Sequence, residues 1–323
     1  MKILFHENEL NYRGTSIALY DYADFNERYL GNESLIIYNK TLPTNHISGI
    51  EKFKKRFQVI DYSDFKEVDS IIKKNDIDLF YAIKNGDIDG VETKECKTVV
   101  HSVFKHFNPH GDVYAYVSEW LSEEMTGGKS PFVPHMVNFE NEISEDLRAS
   151  LNIPNSAKVF GYFGGAQSFN IQFAQKTVEK IAGKYKGIYF LFMGVDSFVQ
   201  AKWWKKSLPN VIFLAPNSDI AMKQKFINTC DALLHARERG ETFGITVAEF
   251  AIKGKPIITY ADSPEKNHIL ELGEDAYFYT NAKNLTEILL ETNLQLSAKE
   301  SYEKFLPKPV MDSFKKVFID LHF

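Results

Sequence analysis

The residues best suited to chemistry are concentrated between Arg237 and Pro256. Two carboxylates, Glu241 and Glu249, stand eight positions apart, with Phe243-Gly244 between them. Glu241 falls in a polar loop, and Glu249 falls in the second turn of a helix that opens near Ile245. The first amides of a helix have no partner inside it and carry the positive end of its dipole. Amides near Phe243-Gly244-Ile245 therefore suit an anion such as a diphosphate. Gly240 and Gly244 let a ligand approach the backbone closely. A carboxylate on each side of such an anion site accepts hydrogen bonds from sugar hydroxyls. Arg237 and Arg239 immediately precede Glu241 and bring positive charge to the same stretch.

The elements that must position these groups are legible around them. Asp231 to Ala236 is a short apolar run of the kind that forms a buried strand. Ile245, Ala248, Phe250-Ala251 and Ile252 give the helix an apolar face, and Gly254-Lys255-Pro256 stops it. Pro256 to Tyr260 reads as the next strand. Strand, loop, helix and strand make the repeating piece of a parallel α/β domain. The chain opens in the same way. Lys2 to Phe5 reads as a strand, His6 to Ser16 as a polar loop containing Arg13-Gly14-Thr15, and Ile17 onward as a helix. No G-x-G-x-x-G fingerprint is present, so dinucleotide binding is not indicated. Further strands are expected at Ser34–Tyr38, Gln58–Tyr62, Ile77–Ala82, Lys97–Phe104 and Val113–Val117. A second α/β half begins at Ala157 to Gly165, and strands follow at Ile188–Met193, Val211–Pro216 and Ala276–Tyr279.

Glu241-Thr242-Phe243-Gly244-Ile245-Thr246-Val247-Ala248-Glu249 resembles the E-x7-E motif of retaining glycosyltransferases of family 4, which have the GT-B fold. Ala251 to Ile258 resembles the usual continuation of that motif. The resemblance implies two facing Rossmann-like domains with parallel sheets, and a C-terminal helix crossing back to the first domain. The expected boundaries are 1–139 for the acceptor side, 140–308 for the nucleotide-sugar side and 309–323 for the crossover helix. It gives Glu241 the donor sugar and Glu249 the ribose, and it places Thr242, Phe243 and Gly244 beside the diphosphate. It makes Gly14 and Thr15 part of a loop facing the donor, and His101, at the end of a strand, a catalytic candidate. Val113 to Leu121 and Pro131 to Asn138 resemble late segments of the first domain, although His135-Met136 stands where Asn-Gly is usual.

One departure bears on mechanism. The family has an arginine and a lysine after the strand that opens the second domain, where they neutralise the diphosphate as the sugar leaves. This chain has Gly164-Gly165-Ala166-Gln167-Ser168-Phe169-Asn170. Backbone amides at Gly164 and Gly165 and the neutral side chains of Gln167, Ser168 or Asn170 are the donors left there. Arg237 and Arg239 are the candidates to restore the charge. The alternatives are a sugar-nucleotide epimerase of the same fold and a catalytically degenerate binding protein.

Composition narrows the partners. The chain has 323 residues, 44% hydrophobic and 25% charged, which suits two ordinary globular cores. A formal net charge of −5 argues against a nucleic-acid binder. Cys96 and Cys230 are the only cysteines, which points to a reducing, cytoplasmic setting rather than a disulfide framework. The expected ligands are a nucleotide sugar and a carbohydrate-type acceptor. No cofactor or metal is expected. Asp76-Ile77-Asp78 and Asp87-Ile88-Asp89 spell D-x-D, but the first reads as the polar entry to a strand. His101, His106 and His110 lack the spacing of a metal site. The basic stretch from Lys52 to Phe57 reads as a solvated helix face, with peripheral membrane contact left open.

Overall fold

The computed structural model describes residues 1–139, 141–199, 208–291 and 293–320. Position 140, the expected start of the second domain, and positions 321–323 of the expected terminal helix lie outside the described residues. The chain divides into two compact units, Met1–Met136 together with the segment from Lys304 on, and Val137–Glu303.

The first unit contains strands β1 (Lys2–Glu7), β2 (Glu33–Asn39), β3 (Gln58–Tyr62), β4 (Leu79–Lys84), β5 (Lys97–Ser102) and β6 (Val113–Tyr116). They form one parallel sheet in the order β3-β2-β1-β4-β5-β6. Helices α1 (Gly14–Leu30), α2 (Ile47–Lys54), α3 (Val68–Lys74) and α4 (Glu119–Thr126) connect them. The buried strands are continuous apolar runs, as a sheet covered on both faces requires. Ser118 caps α4 by accepting from the Leu121 amide, as its position before that helix implies. Asp78 accepts a hydrogen bond from the Lys2 amide at 2.7 Å, so this D-x-D aspartate ties the entry of β4 to β1. The basic stretch is solvated at Lys54 and Lys55 and engaged at its two ends. Lys52 lies over the Tyr20 ring, and Arg56 pairs with Asp24 and Glu27.

The second unit contains β7 (Lys158–Phe163), β8 (Ile188–Met193), β9 (Val211–Leu214), β10 (Ala232–Leu234), β11 (Gly240–Glu241), β12 (Ile257–Tyr260), β13 (Glu265–Lys266) and β14 (Tyr277–Tyr279). Its main sheet is also parallel, in the order β14-β12-β10-β7-β8-β9, and β11 pairs with β13 as a separate two-stranded ribbon. Its helices are α5 (Gln172–Lys184), α6 (Ile220–Thr229), α7 (Ile245–Ile252), α8 (Asn267–Leu272), α9 (Ala282–Leu290) and the short α10 (Lys299–Tyr302). Gly161 in β7 has no room for a larger residue, because a Cβ there would collide with the Cys230 sulfur. Cys96 and Cys230 are both free thiols.

After α10 the chain rejoins the first unit through α11 (Pro307–Phe314), which runs on into a π-helical segment, Lys315–Asp320. Pro307 stands at the start of α11, where its missing N–H costs nothing. Phe314 enters an aromatic cluster, with its ring centroid 5.4 Å from Tyr22, 5.5 Å from Tyr81 and 6.3 Å from Phe5. Such pairs add to the burial of their area. Truncation of Phe314 to alanine is expected to destabilise the first unit by about 3–5 kcal/mol, as for other buried aromatic deletions. Urea denaturation followed by tyrosine fluorescence measures it.

Candidate functional site

In an open parallel sheet, ligands bind beyond the carboxyl ends of the strands, where the strand order reverses. In the second unit that reversal lies between β7 and β10, since β8 and β9 lie on one side and β10, β12 and β14 on the other. The loop after β7 contains Gly164, Gly165 and Gln167, and the loop after β10 contains Arg237, Arg239 and Glu241. Asn170 joins the two loops. Its amide donates to the Ala236 carbonyl at 3.0 Å, and its side-chain oxygen accepts from the Glu238 amide at 2.8 Å. Thr246, in the first turn of α7, donates to the Phe163 carbonyl at 3.0 Å and fixes the helix start against the end of β7. These bonds tie the loop after β7, the loop after β10 and the start of α7 to one another.

Glu241 is the most constrained of them. His235 Nε2 lies 3.2 Å from Oε1, and Arg237 Nη1 donates to Oε2 at 2.6 Å. Burial alone would raise its pKa. The bond from His235 and the positive charge of Arg237 outweigh that effect and hold the carboxyl at about 2. His235 is itself fully buried, with Nδ1 2.9 Å from Thr259 Oγ1. The backbone is fixed as firmly. Gly240 has φ +80°, and a Cβ there would collide with the Glu265 carbonyl, because β11 runs directly beside β13. Gly244 has φ +94° and forms the N-cap of α7. The Asn267 side chain donates from Nδ2 to the Phe243 carbonyl at 3.0 Å from the start of α8.

The remaining residues fall as follows. Glu249 is buried in α7 and forms an ion pair with Lys223 of α6. The Lys223 ammonium lies 5.8 Å from the Phe163 ring, so a buried cation stands near the end of β7. Arg239 is half-exposed and donates from Nε to Glu265 at 2.6 Å. Gly165 and Gln167 are exposed, whereas Gly164 bonds from its amide to the Met193 carbonyl at 3.1 Å. Thr242 is partly buried at the turn into α7.

Gly14 and Thr15 lie in the first unit at the start of α1, beside the Arg13–Glu9 ion pair. His101, also in the first unit, has no exposed surface. Its Nε2 donates to the Val133 carbonyl at 2.8 Å, which leaves Nδ1 to accept from the Tyr81 hydroxyl at 2.6 Å. Both ring nitrogens are thus committed within the fold, and burial pushes the ring down to about 4. His135, the departure from the family pattern, is buried beside it, with Nδ1 3.3 Å from the Tyr22 hydroxyl. Among the described residues, no group of three or more His, Cys, Asp or Glu side chains is arranged to hold a metal ion. Asp87 pairs with His106, and Asp89 pairs with Lys84. No helix among the described residues is long and apolar enough to cross a membrane.

Three groups escaped the sequence reading. Lys223 and His235 lie outside the motif and meet its glutamates only through tertiary packing. Glu7 ends β1 at the strand-order reversal of the first unit, between β1 and β4. Burial pushes its carboxyl up to about 8, against the opposing bonds from Thr15 and Ser16.

In sequence, the chain matches no known family profile and no curated protein. In structure it is similar to Anabaena HepE solved with UDP-glucose, at TM-score 0.71 and 14% identity over 98% of this chain and 99% of that one. It is also similar to the pneumococcal O-GlcNAc transferase GtfA solved with UDP and GlcNAc, at TM-score 0.73 and 12% identity over 100% and 99%. A third likeness is to WaaG, a glycosyltransferase involved in lipopolysaccharide biosynthesis, at TM-score 0.66 and 11% identity over 98% and 99%. The chain has the GT-B glycosyltransferase fold.

Glu7 yields a test by linkage. A carboxyl whose folded-state pKa lies above its ordinary value contributes stability in full only below that ordinary value, and loses it as pH rises through about 8. Glu7→Gln is neutral throughout and escapes the loss. The variant is expected to be more stable than wild type at pH 8, by on the order of 3 kcal/mol, with the advantage vanishing near pH 4. Thermal unfolding across that pH range checks it.

Proposed function

We propose that the chain is a glycosyltransferase, moving a sugar from a nucleotide-sugar donor to a carbohydrate-type acceptor. The reading rests most on one observation. The two loops at the strand-order reversal of the second unit are stitched together around an ionised, doubly held Glu241, in front of the N-terminus of α7. A fixed carboxylate recognises sugar hydroxyls, and the open amides of α7 receive the diphosphate.

In this reading the donor sugar lies on Glu241 and the ribose on Glu249. Lys223 sets the orientation of Glu249 and adds a cation near the end of β7. That charge, with Arg237, stands in for the arginine and lysine that the loop after β7 lacks. Arg237 has five N–H donors, so its bond to Glu241 is compatible with a second role toward phosphate. Arg239 contributes less, because its charge is directed to Glu265. The amide of Gly165 and the side chain of Gln167 complete the cradle, whereas the Gly164 amide is taken by the Met193 carbonyl. Thr242, Phe243 and Gly244 shape the turn into it. The resemblance gives Gly14 and Thr15 a part in donor binding as well. His101 carries no step, since both ring nitrogens serve the core.

The finer features follow from the resemblance to family 4: transfer with retention of anomeric configuration, and no requirement for a metal. HepE and GtfA were solved with UDP-containing ligands, which makes uridine nucleotides the first donors to try. The acceptor side belongs to the loops of the first unit, whose residues are the more variable part of such a fold.

The test is a thermal-shift panel of nucleotide sugars and nucleoside diphosphates in EDTA, on wild type and Glu249→Gln. A ligand at ~100 times its dissociation constant adds about 2.7 kcal/mol to stability. Glutamine keeps the shape of the side chain and a hydrogen bond to Lys223. The expected outcome is a shift for a nucleotide sugar that survives EDTA and is lost in the variant. A panel with no shift for any member contradicts the donor site.

A further inference from the structure

The hydrogen-bond chain behind Glu241 assigns a role to a residue outside the motif. His235 stands just past the end of β10, and its ring has no exposed surface. Glu241 accepts at Oε1, so Nε2 of His235 carries the proton of that 3.2 Å bond. Nδ1 is then the acceptor for the Thr259 hydroxyl at 2.9 Å. The Tyr279 hydroxyl donates to the His235 carbonyl at 2.9 Å and fixes the backbone. The His268 ring packs 4.8 Å away, and the Tyr162 ring 5.8 Å away. The imidazole therefore has one tautomer and one orientation, set by β12, β14, α8 and β7. A buried carboxylate held this way accepts hydrogen bonds in a fixed direction.

Resting on the reading above, we propose that His235 is a positioning residue for donor-sugar recognition, holding Glu241 as an oriented carboxylate through the Thr259–His235–Glu241 chain. Arg237 holds the second oxygen from the loop, so the two neighbours divide the task. Arg237 balances the charge, and His235 sets the direction. The other titratable or charged groups facing Glu241 are His268 from α8, Tyr162 from β7, and Glu265 and Lys266 from β13. Burial keeps His268 neutral, down to about 3, and keeps Tyr162 protonated, so neither adds charge beside Glu241.

The role separates from simple packing by which part of the ligand suffers. His235→Leu removes the donor while filling the space, and His235→Gln retains an N–H toward Glu241. Calorimetric titration of wild type and both variants compares a nucleotide sugar with its nucleoside diphosphate. His235→Leu is expected to lose about tenfold or more in affinity for the nucleotide sugar, the usual effect of a hydrogen bond to a charged group. Affinity for the nucleoside diphosphate is expected to stay within about twofold, and His235→Gln to recover most of the loss. Equal losses for both ligands, or none for either, overturn the role. A ligand-free measurement keeps the proposal separate from the donor-site reading. The carbon-13 carboxyl resonance of Glu241 is expected to remain that of a carboxylate down to about pH 3 in wild type, and to titrate above its ordinary value in His235→Leu. An unchanged titration in the variant overturns the positioning role whatever the ligand.

Discussion

The rest of the second unit depends on holding a negative charge in a largely buried place. A carboxylate removed from water is costly unless it is paired and hydrogen-bonded. Glu241 satisfies that condition with a histidine on one oxygen and an arginine on the other. Neither partner is free to drift. His235 is locked between Thr259 and Glu241, and the loop that carries Arg237 is tied through Glu238 to Asn170. The backbone beneath needs glycine twice, at Gly240 and Gly244, because both have positive φ and Gly240 abuts the Glu265 carbonyl. The pairing of β11 with β13 then converts a loop into a rigid edge.

The second unit buries another charge pair, on α7. Lys223 and Glu249 join α6 to α7 in a region otherwise packed by Phe163, Phe226 and Phe250. Breaking such a pair by removing one partner typically costs about 3–5 kcal/mol, so the two residues are interdependent. Glu249 therefore has a structural partner as well as a proposed ligand. The same residue that orients it also supplies positive charge beside the end of β7.

Much of the architecture was legible in the sequence. Continuous apolar runs marked the strands of both parallel sheets, and Gly254-Lys255-Pro256 marked the end of α7. The GT-B class followed from the order of elements and from Glu241 to Glu249. The two-residue strands β11 and β13 were not legible, because two residues carry no periodicity and their pairing joins segments about 25 positions apart. Lys223 and His235 were hidden for a related reason. One lies 26 positions before its glutamate and looks like an ordinary helix lysine, and the other looks like the end of a strand. His101 was visible as a histidine at a strand end, but only packing shows that Tyr81 and Val133 take both its nitrogens. Glu7 was read as part of a polar loop, and only its burial distinguishes it from the Glu9–Arg13 ion pair nearby.

The central claim is that a fixed Glu241 carboxylate, set before the open end of α7, forms the donor-sugar site. The measurement that tests it most directly is a crystal structure of the chain grown with the nucleotide sugar it binds. The account predicts a sugar hydroxyl within hydrogen-bond distance of the Glu241 carboxylate. It also predicts the diphosphate on the amides between Phe243 and Thr246. A donor bound elsewhere on the chain, or in this crevice with its sugar turned away from Glu241, would contradict it.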